Sequence, residues 1–584
     1  MAYLSVYWKR YWKLFIAAVA FLSVESCCDL LQPTIVSKII DEGVQAQQLS
    51  VVIHYALVML GVTAIGAIGA VGRNQLASRV SQKFGADLRL DMFKKINRYS
   101  YEELGRRDAA GLLTRMTNDA TQVQQFANGM MRIFAKAPIL GIGALVMVFF
   151  LNARLALIMV VVVPVVVVLI VTSLKVGSPY FVKMQRALDG LNAAVREYLS
   201  GVRVVKAFNT FKQEQKRFEG VNENLARISI RVERVMSVFS PAITLIVNMS
   251  IVVLLWMAPG MIQTGDMKVG EVIAFMNYMS QILMALTMIF NVYQQFVRAR
   301  ASAGRIGDVL GNDGHGELHG EHRADEIEGR ITFQNVRFCY PDTDVATLHD
   351  ISFEAQPGET IGIIGSTGSG KSTLVNLIPG FYHPAEGEVL LDGCSLRDYD
   401  LTRLREQLSI VPQKAQLFTG TIAENIRWGK MDATDEEIVE AAKAAQAHDF
   451  IMSFPEGYNT FLGQNGVNLS GGQKQRVSIA RALVRRSTVL ILDDCVSAVD
   501  IATEAAIMKA LRKRAEGVTC LMVTQRISSV LHLHKVLVLD NGALVGIGDH
   551  AHLMAHCEVY REIYRSQVGK LSGAAVWEGG VAHE

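Results

Sequence analysis

The sequence predicts an all-α domain of six transmembrane helices followed by an α/β domain. Three observations lead to this fold class. Six long apolar stretches occupy the first half of the chain, strand-like and helix-like runs alternate in the second half, and a polar, glycine-rich segment separates the two. The chain has 584 residues, which is too many for one domain, and half of them are hydrophobic.

Six stretches are long and apolar enough to cross a bilayer, which takes about 20 helical residues. They are residues 14–38, 52–72, 133–151, 155–174, 237–263 and 269–292. A tight hairpin over residues 151–155 joins the third to the fourth. The second and third, like the fourth and fifth, are separated by charged segments of roughly 60 residues that keep helical periodicity. These helices are therefore expected to extend far beyond the bilayer.

Basic residues fix the expected orientation of these helices. Residues 73–115 hold ten Lys and Arg and residues 175–217 hold nine, whereas residues 41–50 hold none. By the positive-inside rule, both long segments and both termini are cytosolic. We expect a multi-pass protein of the cell (inner) membrane with its second domain in the cytoplasm. Lys and Arg outnumber Asp and Glu only 58 to 55, and no nucleic-acid partner is expected.

The expected domain organisation has four parts. Residues 1–308 form the transmembrane domain with its cytosolic extensions, 309–328 a linker, 329–570 the α/β domain, and 571–584 a tail. Three histidines of the linker, His315, His319 and His322, are better explained by a flexible surface segment than by a metal site. The seven cysteines lack metal-ligand spacing and are expected to be reduced thiols.

A phosphate-binding loop is the strongest motif of the second domain. Gly365–Ser372 reads G-S-T-G-S-G-K-S between a strand-like run and a helix-like run, the context that identifies a P-loop. Its backbone N–H groups wrap phosphates, and Lys371 reaches the β and γ phosphates. The Ser372 hydroxyl and Asp493, at the end of an apolar strand, are expected to hold Mg2+.

A second motif, Leu469-Ser-Gly-Gly-Gln473, resembles the signature of ABC transporters, and together with the upstream P-loop the match is highly specific. Over residues 10–570 the chain resembles an ABC exporter half-transporter. This resemblance implies an ABC nucleotide-binding domain that takes ATP and Mg2+. The implied nucleotide-binding residues are Tyr340, Gly365, Ser366, Thr367, Gly368, Ser369, Gly370, Lys371, Ser372, Thr373 and Gln413, with Gln413 also near the metal alongside Ser372 and Asp493.

The resemblance also implies a second subunit. Two such domains pair head to tail, so that Ser470, Gly471, Gly472 and Gln473 face the partner's ATP and Asp500 lies in an inter-subunit loop. Segments that transmit motion between the domains are expected at residues 100–115 and Phe208–Phe218. The alternative for both is an ordinary amphipathic helix without that role.

Two residues depart from the family pattern: Asp494 stands where Glu is usual, and Gln525 where His is usual. Asp places its carboxylate about 1.5 Å further back, and Gln cannot carry the positive charge of a protonated histidine. Both residues are therefore interpreted as degenerate catalytic positions, in a site that binds ATP and hydrolyses it slowly. Such chains resemble one half of a heterodimeric exporter. A working base at Asp494 and a homodimer are the alternatives.

The sequence defines the transported molecule less well than the nucleotide site. Glu25 and Asp29 share one face of the first membrane helix, where they face an inner cavity and bind substrate, share a proton, pair with a cation such as a partner's Lys, or lie near headgroups. The favoured function is ATP-driven export of small amphipathic molecules, drugs or lipids. The alternatives are a regulatory or channel-like subunit switched by ATP binding, and a lipid or peptide translocase.

Overall fold

The computed structural model describes residues 3–311, 327–341, 343, 345–497, 499–514 and 517–577. These residues form two compact units, the first drawn from Met1–Ile96 and Ala110–Asn312, the second from Asn97–Ala109 and Asp313–Glu584. Most of the predicted linker, including its three histidines, and residues 578–584 of the predicted tail lie outside the described residues.

The first unit is helical throughout. Among the described residues, six helical spans are long and apolar enough to cross a membrane, and each contains one predicted stretch. The spans are Ser5–Val44, Leu49–Ile96, Ala109–Leu151, Ala153–Ala207, Phe211–Gln263 and Val269–Leu310. The helices are α1 (Leu4–Lys38), α2 (Leu49–Ile96), α3 (Tyr101–Arg106), α4 (Ala109–Thr114), α5 (Ala120–Gly129), α6 (Lys136–Leu151), α7 (Ala153–Ala207), α8 (Phe211–Met236), α9 (Phe239–Gln263) and α10 (Val269–Leu310), of which α3 belongs to the second unit.

Several of these helices are much longer than a bilayer requires, as the charged segments predicted. Helix α7 has 55 residues, a length of about 80 Å against a hydrocarbon core of about 30 Å. It begins where the side-chain oxygen of Asn152 accepts hydrogen bonds from the N–H groups of Arg154 and Leu155, at 3.0 and 3.2 Å. The predicted hairpin is thus a single non-helical residue between α6 and α7.

The second unit is α/β, which confirms the predicted fold class. A ten-stranded sheet has the order β5-β4-β1-β2-β12-β11-β3-β10-β9-β6, and β7 pairs with β8 separately. The strands are β1 (Ile331–Cys339), β2 (Ala346–Ala355), β3 (Thr360–Gly365), β4 (Glu386–Leu391), β5 (Cys394–Ser395), β6 (Leu408–Val411), β7 (Gly420–Thr421), β8 (Phe461–Leu462), β9 (Val489–Asp493), β10 (Thr519–Val523), β11 (Lys535–Asp540) and β12 (Ala543–Gly548).

Nine helices accompany the sheet in the described residues. They are α11 (Lys371–Leu377), α12 (Leu401–Glu406), α13 (Ile422–Arg427), α14 (Asp435–Ala444), α15 (His448–Met452), α16 (Gly471–Leu483), α17 (Ile501–Arg514), α18 (His550–His556) and α19 (Glu558–Trp577). Strands β6, β9, β10, β3 and β11 are mutually parallel, and β9 and β10 are buried along their whole length. Continuous apolar runs such as Val489–Leu492 are typical of strands covered on both faces.

This topology determines where the site residues carried by the sheet can lie. Strand β10 pairs with β3 on one side and β9 on the other, all three parallel. The carboxyl ends of parallel strands meet at one edge of a sheet, which is where such folds bind ligands. The loop after β3, Asp493 at the end of β9 and Thr524 after β10 therefore lie together.

Candidate functional site

The loop between β3 and α11 has a shape that only glycine permits at two points. Gly370 has φ 93°, and a Cβ there would lie 2.7 Å from Leu348. A Cβ on Gly365 would lie 2.1 Å from the carbonyl oxygen of Leu539. The main chain can therefore curl tightly at the N-terminus of α11, leaving Ser366, Thr367 and Gly368 exposed. Exposed backbone N–H groups at a helix N-terminus form an anion site.

Lys371 lies inside this loop. Its Nζ donates hydrogen bonds to the carbonyl oxygens of Gly365 and Ser366, at 3.0 and 2.6 Å, and lies 3.4 Å from Ser369 Oγ. Burial lowers the pKa of Lys371, while the charges of Asp494 and Asp493 oppose that shift. The loop thus holds a buried cation at the place where phosphate charge is expected.

The residues predicted for Mg2+ have suitable chemistry. Ser372 Oγ donates to Asp493 Oδ1 at 2.8 Å, and both oxygens are of the hard type that Mg2+ prefers. No cluster of three or more His, Cys, Asp or Glu with metal-binding geometry occurs in the described part of the chain. A site of one hydroxyl and one carboxylate suits a magnesium ion that takes its other ligands from phosphates and water. Ser372 and Asp493 would hold it, and the ion would supply charge neutralisation of the phosphates.

Asp494 is held in an unusual position. Its backbone has φ 44°, its N–H donates to the carbonyl oxygen of Val523 at 3.0 Å, and its side chain is buried. The Gln525 amide donates to Asp494 Oδ2 at 2.9 Å, and the Gln413 amide lies 3.4 Å from the same oxygen. Burial raises the pKa of Asp494, and these two amides oppose that shift. The two departures from the family pattern are therefore in direct contact.

Tyr340, one of the implied nucleotide-binding residues, belongs to a series of packed aromatic rings. Its hydroxyl is 2.9 Å from Thr373 Oγ1 on α11, and its ring packs edge-on against Tyr382 at 5.3 Å. Tyr382 in turn packs edge-on against Tyr101 of α3 at 5.5 Å, and Tyr101 stacks on Phe381 at 4.9 Å. Helix α3 thus contacts the neighbours of the nucleotide loop within the second unit.

The structure shows which unit holds each segment that was predicted to transmit motion between the domains. The first predicted segment includes α3, which belongs to the second unit. The second, Phe208–Phe218, lies in the first unit, and the transmitting role of both segments stays a prediction. Tyr382 was missed because the aromatic pair Phe381 and Tyr382, which follows α11 closely, belongs to no recognised motif.

The signature residues lie at the start of α16. Ser470 and Gln473 cap this helix reciprocally: the Gln473 N–H donates to Ser470 Oγ at 3.4 Å, and the Ser470 N–H donates to Gln473 Oε1 at 2.9 Å. Ser470 and Gly471 are exposed, and Gly472 is half-buried. Asp500 is also exposed and caps α17 by accepting from the Thr503 N–H at 2.9 Å. Hydrogen bonding within the chain therefore orders both predicted inter-subunit elements.

Glu25 and Asp29 are paired with cations of their own chain. Glu25, 7 % exposed, accepts from Arg73 Nε on α2 and Lys136 Nζ on α6, both at 2.6 Å. Lys136 also lies 3.0 Å from Asp29 Oδ2. Of the sequence interpretations, pairing with a cation describes both carboxylates, and the cations belong to this chain instead of a partner. These four side chains are called the ion cluster below.

Gln567, on α19, is a site residue that sequence reasoning missed. Its Nε2 donates to the Gln525 carbonyl at 2.7 Å, and its Oε1 accepts from the Ile527 N–H at 2.8 Å. These bonds tie the C-terminal helix to the segment that presents Gln525 to Asp494. A single polar residue in a polar helix offers no sequence signal for this role.

Gln567→Leu is expected to raise the hydrogen-exchange rate of the Ile527 amide about fivefold, because a hydrogen bond worth roughly 1 kcal/mol is lost. Hydrogen–deuterium exchange with mass spectrometry of the peptide containing Ile527 measures this. Gln567→Glu is the matched control, since it keeps an acceptor for Ile527 and should keep its protection. Equal protection in wild type and Gln567→Leu would contradict this role.

Comparisons with known proteins match both units. Residues 15–286 match the family "ABC transporter transmembrane region", and residues 348–497 match the family "ABC transporter". The chain is 38 % identical over 553 residues to the uncharacterized ABC transporter ATP-binding protein YfiB of Bacillus subtilis, covering 95 % of this chain and 96 % of that protein. It is 31 % identical over 564 residues to an ATP-dependent lipid A-core flippase of Photobacterium profundum, covering 94 % and 95 %.

A solved structure agrees with this match along the chain. The structure of a bacterial Atm1-family ABC exporter with ATP bound superimposes with a TM-score of 0.80 at 27 % identity. The match covers 95 % of this chain and 98 % of that one.

Proposed function

Because this chain belongs to the ABC transporter family and has the exporter fold with an ATP-binding domain, we propose that it is one subunit of a heterodimeric export transporter. Its own P-loop site binds ATP with Mg2+ and hydrolyses it slowly, and its signature completes the partner's active site. It works in the cell (inner) membrane, with the nucleotide-binding domain in the cytoplasm. The cargo is a small amphipathic molecule, a drug or a lipid.

One observation carries the proposal: the contact between Asp494 and Gln525. A base that orients the attacking water needs a carboxylate oxygen facing that water. Here Oδ2 of Asp494 accepts from the Gln525 amide at 2.9 Å, on a side chain one methylene shorter than Glu. A shift of roughly 1 Å can cost about 100-fold in rate. ATP turnover at this site is therefore slow, while Lys371, Ser372 and Asp493 remain to bind the nucleotide.

The signature residues of this chain are intact, which favours two different subunits with different roles in hydrolysis. Ser470 is exposed, and it and Gln473 keep the reciprocally capped helix start that suits a phosphate of the facing nucleotide. In a homodimer both ATP sites would hydrolyse slowly. A partner with Glu and His at the positions of Asp494 and Gln525 would supply one fast site. Co-purification of this chain with a second half-transporter of different sequence would support the heterodimer, and recovery of the chain only as a homodimer would contradict it.

The assembled transporter is expected to retain most of its ATP turnover when Asp494 is replaced by Asn (Asp494→Asn), because little hydrolysis occurs at this chain's own site. Changing the partner's catalytic Glu to Gln is expected to abolish it. Steady-state phosphate release from the reconstituted pair measures both. Equal losses from the two substitutions would contradict the asymmetric assignment.

Export itself is tested by ATP-dependent uptake into inside-out vesicles. The names of several relatives include lipid A-core flippase, so a lipid analogue and an amphipathic drug are the first cargoes to assay. Uptake of either supports the proposal. ATP-gated ion currents without uptake of any cargo would instead favour a channel-like or regulatory subunit.

A further inference from the structure

Two histidines of α18, His552 and His556, lie four positions apart, and both are exposed. Residues with this spacing lie on one face of an α-helix, one turn above the other. Their imidazole rings are stacked, with centroids 4.4 Å apart and ring planes at 26°. Two histidines at this spacing are the arrangement by which a single helix can bind zinc. These two residues are called the histidine pair below.

A hydrogen bond within α18 fixes which ring nitrogen of His556 can bind a ligand. Nδ1 of His556 donates to the carbonyl oxygen of His552 at 3.0 Å. In the neutral ring Nδ1 therefore carries the proton, and the lone pair of Nε2 is left for a metal ion. Metal-binding histidines usually donate their other ring N–H to a carbonyl oxygen, a carboxylate or water, which orients the ring and raises its basicity.

The ring of His552 is positioned by the residues that precede the helix. A Cβ on Gly548, the last residue of β12, would lie 2.7 Å from Cδ2 of His552, so the ring packs directly against the backbone there. The His552 N–H donates to Oδ1 of Asp549 at 2.8 Å, and this contact caps α18. Both the main chain and the ring of His552 are thus held in place by neighbouring residues.

Helix α18 is anchored to the sheet by its buried side chains. Leu553 and Cys557 are 1 % and 5 % exposed, and a Cβ on Gly546 of β12 would lie 3.0 Å from both side chains. The helix therefore packs closely on β12, and Cys557 lies against the sheet. A binding pair on a helix that is packed in this way is held more precisely than one on a loop.

The chemistry of the two rings selects the class of metal. Imidazole nitrogen suits the late first-row ions Zn2+, Ni2+ and Cu2+, whereas Mg2+ prefers oxygen ligands. No group of three or more His, Cys, Asp or Glu suited to a metal ion occurs in the described ranges, so the protein supplies two ligands and water completes the coordination. Structural zinc sites take four protein ligands, so an ion held by two exchanges with the solvent.

We propose that the histidine pair binds a divalent transition-metal ion, Zn2+, Ni2+ or Cu2+, through Nε2 of His556 and a ring nitrogen of His552. The site lies on α18, outside the P-loop site, and the proposal does not rest on the export function. The bound ion links two successive turns of the helix. An ion that binds the folded helix and not the unfolded chain stabilises the helix, so the stability of α18 depends on the metal concentration.

The test uses the full-length chain in lipid nanodiscs, purified without a histidine tag. The linker histidines His315, His319 and His322 are replaced by serine so that they add no background. Titration calorimetry with Zn2+ should show a saturable site, and the electron paramagnetic resonance spectrum with equimolar Cu2+ should show splitting from two imidazole nitrogens. A large excess of Mg2+ should leave Zn2+ bound. Displacement of Zn2+ by Mg2+, or the lack of a saturable site, would overturn the proposal.

Substitutions locate the ion. His552→Ala and His556→Ala should each weaken Zn2+ binding about tenfold or more, since each removes one of the two protein ligands. His532→Ala, which removes another exposed histidine of the same unit, should change the affinity less than about twofold. His556→Ala combined with Glu558→His keeps the number of histidines but loses the spacing, and should bind as weakly as His556→Ala alone.

ATP binding at the P-loop reports that each variant is folded. Unchanged Zn2+ affinity in folded His552→Ala or His556→Ala would overturn the proposal. So would an equal loss of affinity in His532→Ala, or recovery of the affinity in the relocated variant, because either result would show that binding follows the number of histidines and not their spacing on α18.

Discussion

Restoring Asp494→Glu together with Gln525→His is expected to raise ATP hydrolysis at this chain's own site roughly 100-fold. The longer side chain advances the carboxylate by about 1.5 Å. The histidine removes the Gln525 amide that donates to Asp494 Oδ2 at 2.9 Å and provides a side chain that can carry a proton. Single-turnover hydrolysis of γ-labelled ATP, with the partner's catalytic Glu replaced by Gln, isolates this site.

The single substitutions are the controls for this prediction. Asp494→Glu alone keeps the Gln525 amide and should raise the hydrolysis rate less than the double substitution does. The effects of substitutions at two residues in direct contact are not additive. ATP affinity should stay within about threefold, since Lys371 and Ser372 are unchanged. A double variant no faster than wild type would show that carboxylate position does not limit hydrolysis here, and the degenerate-site interpretation would be wrong.

Glu25→Ala is expected to destabilise the first unit by roughly 3 kcal/mol. Arg73 is 8 % exposed and would lose the carboxylate whose Oε2 lies 2.6 Å from its Nε. Leaving a buried cation without its partner costs more than the pair contributes. The midpoint of thermal unfolding in detergent should fall by about 6 °C or more, measured by intrinsic fluorescence.

Two further variants test whether burial of Arg73 causes the loss of stability expected for Glu25→Ala. Glu197→Gln breaks an ion pair with Arg217 of the same 2.6 Å length, but the side chains are 62 % and 50 % exposed, so the midpoint should not move. Adding Arg73→Met to Glu25→Ala removes the orphaned cation and should recover much of the loss. Equal shifts for Glu25→Ala and Glu197→Gln would contradict this account of the ion cluster.

Much of the site could be predicted because its signals are local. A P-loop is a strand, a glycine-rich turn and a helix in immediate succession, so Gly365–Ser372 was recognisable in the sequence. The acid at the end of β9 was recognisable for the same reason. Gln567 and Tyr382 were not, since each acts through a contact with residues far away in sequence: Gln525 lies 42 positions before Gln567.

The six spans, the α/β class and the two departures at Asp494 and Gln525 could all be read from the order of the residues alone. Apolar length, periodicity and motif spacing are properties of consecutive residues, and they need no knowledge of packing. The folded chain was needed to show that Gln525 donates to Asp494 and that cations of α2 and α6 pair with Glu25. Those facts depend on which helices and strands become neighbours, and side chains on different elements meet only after the chain has folded.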